Sequence, residues 1–321
     1  WPVLRCSQLA GFWVFPEDWL QEASTSAVSR RMRLSWHEID GVMQRAVRRG
    51  LARRKLEAIE RVGVDETSFQ KRHEYVTVVT DIESGRVLHV ADDRKADSLD
   101  EFWALLTPEQ LAAIEAVAMD MCAAYVRSTR EHIEDADEKI CFDRFHVAKI
   151  LGDAVNTVRK QEIRELTANG EYAPRGTKYV FAQNPENMPP WRRAQFELLK
   201  DSSLKAARAW ALKDAARWLW SYTKRGWALR MWKKWIGWAV RSRLEPMKRA
   251  ARTVREHLWG IVNAIVLRVT NAGAESANAR IQWIKKQACG FRNRDRFKAA
   301  IYFHLGGLDL YPVRLSTHTK A

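Results

Sequence analysis

The sequence predicts an α/β protein: a mixed sheet flanked by helices, interrupted by an all-helical insertion and preceded by a helical N-terminal segment. Three observations predict this class. Short β-branched runs separated by turns occupy residues 61 to 90, two later apolar runs each end at an aspartate, and strand patterns are missing from about 147 to 269.

The first three strands are predicted to be antiparallel neighbours. Val62 to Asp65, Tyr75 to Thr80 and Arg86 to Val90 are rich in β-branched residues. The turn-forming stretch Asp81 to Gly85 joins the second strand to the third. Chain reversals this short favour antiparallel pairing.

The later strands are predicted to be buried and parallel. Ile114 to Met119 and Lys139 to Phe142 are apolar and are bordered by helical sequence. Helical crossovers of this kind join parallel strands whose two faces are both covered. A helix is also expected over Ser98 to Leu106, with Pro108 ending it.

Helical periodicity fills the N-terminal segment from Pro16 to about Leu51. Ser35 and Glu38 form a capping box that starts a second helix after a short turn, and apolar residues then recur at helical spacing. The pattern is typical of a helix-turn-helix, and an ordinary helical hairpin fits it equally well.

Charge indicates the class of partner. Lysine and arginine total 54 against 39 acids, a formal charge of +15, which favours nucleic acid. No apolar run reaches the roughly 18 residues of a spanning helix, so no membrane partner is predicted. Four scattered cysteines, Cys6, Cys122, Cys141 and Cys289, indicate neither a zinc site nor a disulfide framework and suit the reducing cytoplasm.

The predicted insertion is rich in tryptophan. Seven tryptophans lie between Trp210 and Trp238 among arginines and lysines. Packing of helices against one another is the favoured role, and stacking on unpaired bases or DNA backbone is the alternative. The stretch Asn169 to Pro190 is interpreted as a long loop.

Three acids are candidates for one metal centre. Asp65 shares a strand face with Gly63, and Asp120 lies just past the carboxyl end of a later strand, where sites form in open sheets. Glu275 begins a helix in which Asn278 and Gln282 share its polar face. Carboxylates suit Mg²⁺, and two such ions promote phosphoryl transfer. Each acid alone is more often a cap or a surface charge.

Four ordered motifs carry a resemblance to a known family. They are Val62-Gly-Val-Asp65-Glu-Thr-Ser-Phe-Gln-Lys, Val117-Ala-Met-Asp120-Met, Cys141-Phe-Asp-Arg-Phe-His146-Val, and Thr270-Asn-Ala-Gly-Ala-Glu275-Ser-Ala-Asn278 followed by Gly290-Phe-Arg-Asn. Over about residues 16 to 312 the chain resembles the L-three (ISL3) insertion-sequence family of bacterial DDE transposases.

The resemblance implies an RNase H-like fold. It also implies an enzyme that cuts transposon ends in double-stranded DNA and joins the freed 3′ hydroxyl to target DNA. It makes Asp65, Asp120 and Glu275 the catalytic triad and the ligands of Mg²⁺ or Mn²⁺, with two ions expected. It also implies a homodimer or larger assembly on DNA, in the bacterial cytoplasm at the nucleoid.

Other side chains are candidates for supporting roles. Asp143, His146 and Asn278 are predicted to orient the metal ligands or touch DNA, and for Asp143 and His146 plain structural hydrogen bonding is equally open. A basic cluster from Arg280 to Lys298, with Arg296 among it, favours backbone contact over mere solvation. The predicted DNA-binding residues are Arg30, Arg31, Arg33, Trp36, His37, Arg280, Lys285, Lys286, Arg292 and Arg294.

The expected domain order follows from these patterns. It comprises a truncated N-terminal remnant (1–15), the helix-turn-helix region (16–55), the first part of the catalytic core (56–150), the helical insertion (151–268), and the last catalytic helix with the end of the core (269–321). The sequence has no initiator methionine, so we expect a chain that begins part-way into a longer protein. Only Cys6 in the first 50 residues corresponds to the family's cysteine-rich zinc-binding start, so impaired recognition of the transposon ends is expected. Two alternatives stay open: a nuclease of the same fold that only hydrolyses, and a non-catalytic or decayed DNA-binding derivative.

Overall fold

The structure, a computed structural model, describes residues 8–9, 12–13, 15–70, 74–93, 96–171, 177–200 and 204–312. Of the predicted N-terminal remnant, residues 1–7, 10–11 and 14 lie outside the described residues. The strands are β1 (Gln8–Leu9), β2 (Phe12–Trp13), β3 (Arg61–Gln70), β4 (Glu74–Asp81), β5 (Val87–Asp92), β6 (Ala116–Met119) and β7 (Ile140–Phe142).

The described helices follow in chain order. They are α1 (Pro16–Glu22), α2 (Thr25–Met32), α3 (Trp36–Arg53), α4 (Ala96–Trp103), α5 (Pro108–Ala112), α6 (Ala123–His132), α7 (Ala136–Lys139), α8 (Arg144–Ala168), α9 (Lys178–Ala182), α10 (Pro190–Lys200), α11 (Lys205–Trp218), α12 (Arg225–Arg241), α13 (Glu245–Glu256), α14 (Leu258–Leu267), α15 (Ala272–Gln287) and α16 (Arg294–Leu305). Short 3-10 turns lie at Pro185–Asn187 and Leu219–Ser221.

The chain forms two compact units. The first unit comprises Trp1–Glu115, Arg127–Glu134 and Asn271–Ala321, and the second comprises Ala116–Val126 and Asp135–Thr270. The first unit is therefore discontinuous in sequence, since its last segment follows the whole of the second unit.

In the first unit, β4 pairs antiparallel with both β3 and β5, which confirms the three predicted antiparallel strands. β3 continues to Gln70, beyond the predicted end at Asp65, because Thr67 and Phe69 bury alternate side chains along it. One core joins these strands to α3 and α16 through buried residues such as Val78 and Phe297.

The N-terminal helices meet at the predicted turn. Arg33 adopts left-handed backbone angles (φ 55°) between α2 and α3. The capping box is confirmed, since Ser35 Oγ accepts a hydrogen bond from the Glu38 N–H and the Glu38 carboxylate accepts one from the Ser35 N–H at 2.7 Å. The additional helix α1 precedes this pair.

The expectation for Pro108 was wrong. Pro108 begins α5 instead of ending a helix, and Thr107 caps it through the Gln110 N–H. Proline suits the first position of a helix because the N–H it lacks has no intrahelical partner there.

In the second unit, β6 and β7 run parallel, with Val117 opposite Ile140, as predicted. From α8 to α14, every described element is helical, which confirms a strand-free insertion in the part of the chain that the structure describes. The stretch Asn169 to Pro190 is not a single loop, however, since α9 and a 3-10 turn lie inside it. With strands of both directions flanked by helices, the fold is α/β.

The tryptophans of the insertion differ in burial. Trp232 and Trp235 are buried, and the Trp235 indole N–H donates to the Leu212 carbonyl at 2.8 Å. Trp218, Trp227 and Trp238 are exposed. Helix packing thus explains only some of them. Among the described helices, none is long and apolar enough to cross a membrane.

His304 on α16 should make the stability of the first unit depend on pH. Burial, aided by the nearby Arg280, lowers its pKa to about 4. Below pH 6.5 the unfolded chain takes up a proton that the folded chain does not bind until about pH 4, so stability is lost as pH falls through this window, by up to roughly 3 kcal/mol. Urea unfolding at pH 7.5 and pH 4.5 should show a smaller pH difference for His304→Gln; an unchanged difference would remove His304 as the cause.

Candidate active site

Asp65 lies in β3 with its carboxylate held on both oxygens. Asn278 Nδ2 donates to Oδ2 at 2.7 Å, and the backbone N–H of Glu66 donates to Oδ1 at 2.7 Å. A carboxylate has about four lone-pair sites, and these two hydrogen bonds take one on each oxygen. The contacts fix the rotamer of Asp65 and hold its charge toward α15.

Helix α15 packs along β3, and the polar face of the helix makes the hydrogen bonds to the strand. Besides binding Asp65, Asn278 Nδ2 lies 3.3 Å from the Glu66 carbonyl, and Gln282 Nε2 donates to Thr67 Oγ1 at 2.8 Å. This confirms that Asn278 and Gln282 share one face of the helix, as the sequence predicted. Glu275 lies one turn before Asn278 in the first turn of α15, so helical spacing puts it on the same side of the helix.

A close approach at Gly63 brings the start of α15 against β3. A Cβ atom at Gly63 would lie 2.7 Å from Thr80 Oγ1 and 3.0 Å from Asn271 Oδ1, so only glycine fits. The carbonyl of the buried Asn271 accepts the backbone N–H of Glu275 at 2.9 Å. Gly63 therefore sets the distance at which the segment carrying Glu275 packs on the strand that carries Asp65.

Asp120 and Asp143 occupy one sheet edge in the second unit. Asp120 directly follows β6 and accepts the Cys122 N–H at 3.0 Å. Asp143 directly follows the parallel strand β7, and its backbone N–H donates to the Met119 carbonyl at 3.0 Å. The carboxyl ends of parallel neighbours meet at the same edge, which is where ligands bind in α/β sheets.

Asp143 is buried and performs a structural task. Its carboxylate caps α8 by accepting the Phe145 N–H at 3.2 Å, and its other oxygen lies 3.1 Å from His146 Nδ1. The carboxylate thereby fixes the orientation of the imidazole. Asp143 therefore makes structural hydrogen bonds, and a role for Asp143 or His146 in orienting metal ligands or touching DNA stays a prediction.

The donors at these positions fit a hard divalent cation. Asp65, Asp120 and Glu275 offer only carboxylate oxygens, the ligand type that Mg²⁺ and Mn²⁺ prefer. Asp65 and Asp120 each have an oxygen oriented by a backbone N–H. Such hydrogen bonds fix the orientation of the carboxylate that would bind a metal ion.

The predicted DNA-binding side chains differ in whether their positive charge is already bonded to groups of the protein itself. Arg294 lies within 4 Å of Glu74, Asp92 and Asp93, and Lys285 Nζ donates to the Ser68 carbonyl at 2.7 Å. Burial also lowers the pKa of Lys285. These two cations are therefore less available to bind a phosphate than the sequence indicated.

Two other predicted DNA-binding residues, Trp36 and Arg292, line a groove of about 600 Å³ in the first unit. The groove includes Ser24 at the start of α2, Trp36 at the start of α3, and Arg292 in the turn after α15. Arg296 stacks on Trp36 at 4.9 Å and pairs with Asp40 at 3.1 Å. Arg30, Arg31, Arg33 and His37 belong to α2, the turn and α3, whereas Arg280 and Lys286 belong to the exposed side of α15.

Comparison with known proteins identifies the class as a transposase: a family model described as a transposase matches residues 62–301. The chain belongs to the ISL3 family of DDE transposases, the enzymes of insertion sequences. It is 26% identical to the transposase for insertion sequence element IS1001 of Bordetella parapertussis, over 91% of this chain and 70% of that protein. It is also 26% identical to the transposase for IS1557 of Mycobacterium tuberculosis, over 90% and 70%. Membership of this family implies divalent-metal use and DNA binding.

Sequence reasoning named Gln282 and Lys285 but missed their contacts with β3, and it gave Asn271 no role. The hydrogen bonds of Gln282 and Lys285 to β3 depend on which strand the helix meets, and the fit of Asn271 against Gly63 depends on a long-range approach. The one signal in the sequence was the polar spacing along α15, at positions 275, 278, 282 and 285.

Proposed function

We propose that the chain cuts DNA at the ends of its insertion sequence and joins each freed 3′ hydroxyl to target DNA, on an RNase H-like core. The observation that carries this proposal is the Asp65 carboxylate held by Asn278, inside a family match that spans every acid of the predicted set. The hydrogen bonds prepare a charged oxygen ligand on a rigid strand, which phosphoryl transfer by a DDE enzyme requires.

Asp65, Asp120 and Glu275 would hold Mg²⁺ or Mn²⁺, with two ions as the proposed number. When bound, two such ions increase the nucleophilicity of water or of a 3′ hydroxyl and stabilise the leaving oxygen. The protein's own contribution is orientation: Asn278 fixes Asp65, the Cys122 N–H fixes Asp120, and Asp143 fixes His146.

The substrate we propose is double-stranded DNA, bound at transposon ends and at the target by a homodimer or larger assembly at the bacterial nucleoid. Residues 16–55 would act as a helix-turn-helix, supported by the turn at Arg33 and by the groove that contains Trp36 and Arg292. Residues 56–150 and 269–321 would form the catalytic core around the insertion at 151–268.

Supercoiled plasmid and a labelled transposon-end duplex test this function. We expect the purified chain to nick plasmid with Mg²⁺ or Mn²⁺, to stop when EDTA removes the metal, and to join the labelled 3′ end to plasmid. Nicking without joining would reduce the function to hydrolysis. Metal-independent nicking, or DNA binding with neither reaction, would contradict the proposal.

A further inference from the structure

Helix α12 presents a basic face that no part of the proposed catalytic chemistry uses. Arg230, Lys233, Lys234 and Arg241 recur at helical spacing on its exposed side. The opposite side, which includes Trp232, is buried within the second unit. The helix is therefore anchored by its apolar side and leaves the cations in solvent.

The charge of this face is uncompensated. Between Asp214 and Glu245 the sequence contains eight lysines and arginines and no acid. Within the described ranges, none of the four exposed cations of α12 takes part in an ion pair. Elsewhere in the same unit lysines are paired, as Lys205 is with Glu165 and Lys248 with Glu245 at 2.8 Å.

The face is also shaped to accept an extended polyanion. Gly226 and Gly237 lie among the basic residues and line a shallow groove with them. A Cβ atom at Gly226 would have nothing within 4 Å, so the missing side chain serves no internal packing. Exposed Trp227 and Trp238 flank one edge eleven residues apart, about 16 Å along the helix.

We propose that this face of α12 binds the phosphate backbone of duplex DNA, as a contact surface separate from residues 16–55. The inference deepens the proposed function, since it takes DNA as the substrate. α12 contains no Asn, Gln, Asp or Glu, and its cations are lysines and arginines in an open groove, so contact independent of base sequence is expected. A second copy presenting the same face would be repelled by like charge.

The test compares two double variants of the whole chain. Lys233→Gln/Lys234→Gln removes two cations from the face, and Lys205→Gln/Lys248→Gln removes two that are already paired. Binding to a transposon-end duplex and to a scrambled duplex is measured by fluorescence anisotropy against salt concentration, in EDTA so that no cleavage occurs. We expect the first variant to bind both duplexes about 5- to 20-fold more weakly, with the salt slope reduced by roughly 0.9 for each phosphate that the protein no longer neutralises. The control variant should keep the wild-type slope.

Equal slopes for the two variants would overturn the proposal, as would a change only in oligomeric state by light scattering or only in binding to anionic vesicles. The outcome is separable from catalysis. A wild-type chain that fails to nick DNA can still show the expected slope difference, whereas a chain that nicks normally can fail to show it.

Discussion

Asp120→Asn should lower metal-dependent nicking of supercoiled DNA by about three orders of magnitude or more, as loss of one member of a catalytic set commonly does. Asparagine keeps the shape of the side chain and an oxygen that can accept the Cys122 N–H, so the turn after β6 should persist. The substitution removes the negative charge with which the Asp120 carboxylate would bind a divalent ion. Nicking rates at saturating Mg²⁺ and low salt measure the effect, and anisotropy in EDTA should show unchanged DNA binding.

The matched control is Asp153→Asn, the same change at an exposed acid of α8 in the same unit. Its nicking rate should stay within about twofold of wild type, because a surface charge contributes little. Equal rates for Asp120→Asn and wild type would remove Asp120 from the reaction. If every variant and the wild type showed only background nicking with intact DNA binding, the decayed, non-catalytic alternative would take precedence.

Gly260→Val should reduce the free energy of unfolding by about 3 to 5 kcal/mol, since severe overpacking reaches the upper end of mutational effects. A Cβ atom at Gly260 in α14 would lie 2.5 Å from Cδ2 and 2.7 Å from Cε2 of Phe142 in β7. The ring is fully buried and packs against Trp259 and His257, with ring centroids at 4.9 and 5.2 Å. It therefore has no free space into which to move.

Gly152→Val in α8 is the control for the intrinsic effect of valine in a helix. A Cβ atom at Gly152 would meet nothing within 4 Å, so this variant should change the free energy of unfolding by no more than about 0.5 kcal/mol. Urea unfolding followed by circular dichroism compares the two. Similar midpoints for both variants would show that α14 can move away from β7 at little cost.

Local patterns predicted most of the elements because each needs only neighbouring residues. The β-branched runs of β4 and β5, the capping box at Ser35 and the strand-free insertion depend on short-range preferences. Pro108 shows the limit of such reasoning: a proline can follow one helix and begin the next, and the sequence of α4 alone does not decide which.

Long-range contacts were predicted only in part. The family motifs indicated both Asp65 and Asn278, with Asn278 expected to orient a metal ligand, but they did not show that Asn278 would bind Asp65, 213 residues away. The buried Glu162 is another case. Its carboxylate accepts the backbone N–H groups of Lys205 and Ala206 at 2.6 and 2.9 Å, so a residue of α8 caps α11 where the preceding Leu204 has no acceptor side chain. No local pattern predicts a cap supplied from 43 residues upstream.

The discontinuity of the first unit has a consequence for protein synthesis. Its core needs residues from both ends of the chain, with Val28 and Phe69 packed in the same cluster as Ile281 and Phe297. A nascent chain that has emerged only to Thr270 already contains Asp65 but lacks both Asn278, which orients it, and Glu275. At about 5–20 residues per second, roughly 10 to 40 seconds separate the synthesis of Asp65 from that of Asn278, 213 residues later. A chain that ends before α15, or whose last residues are still in the ribosome, therefore lacks two residues of the proposed site.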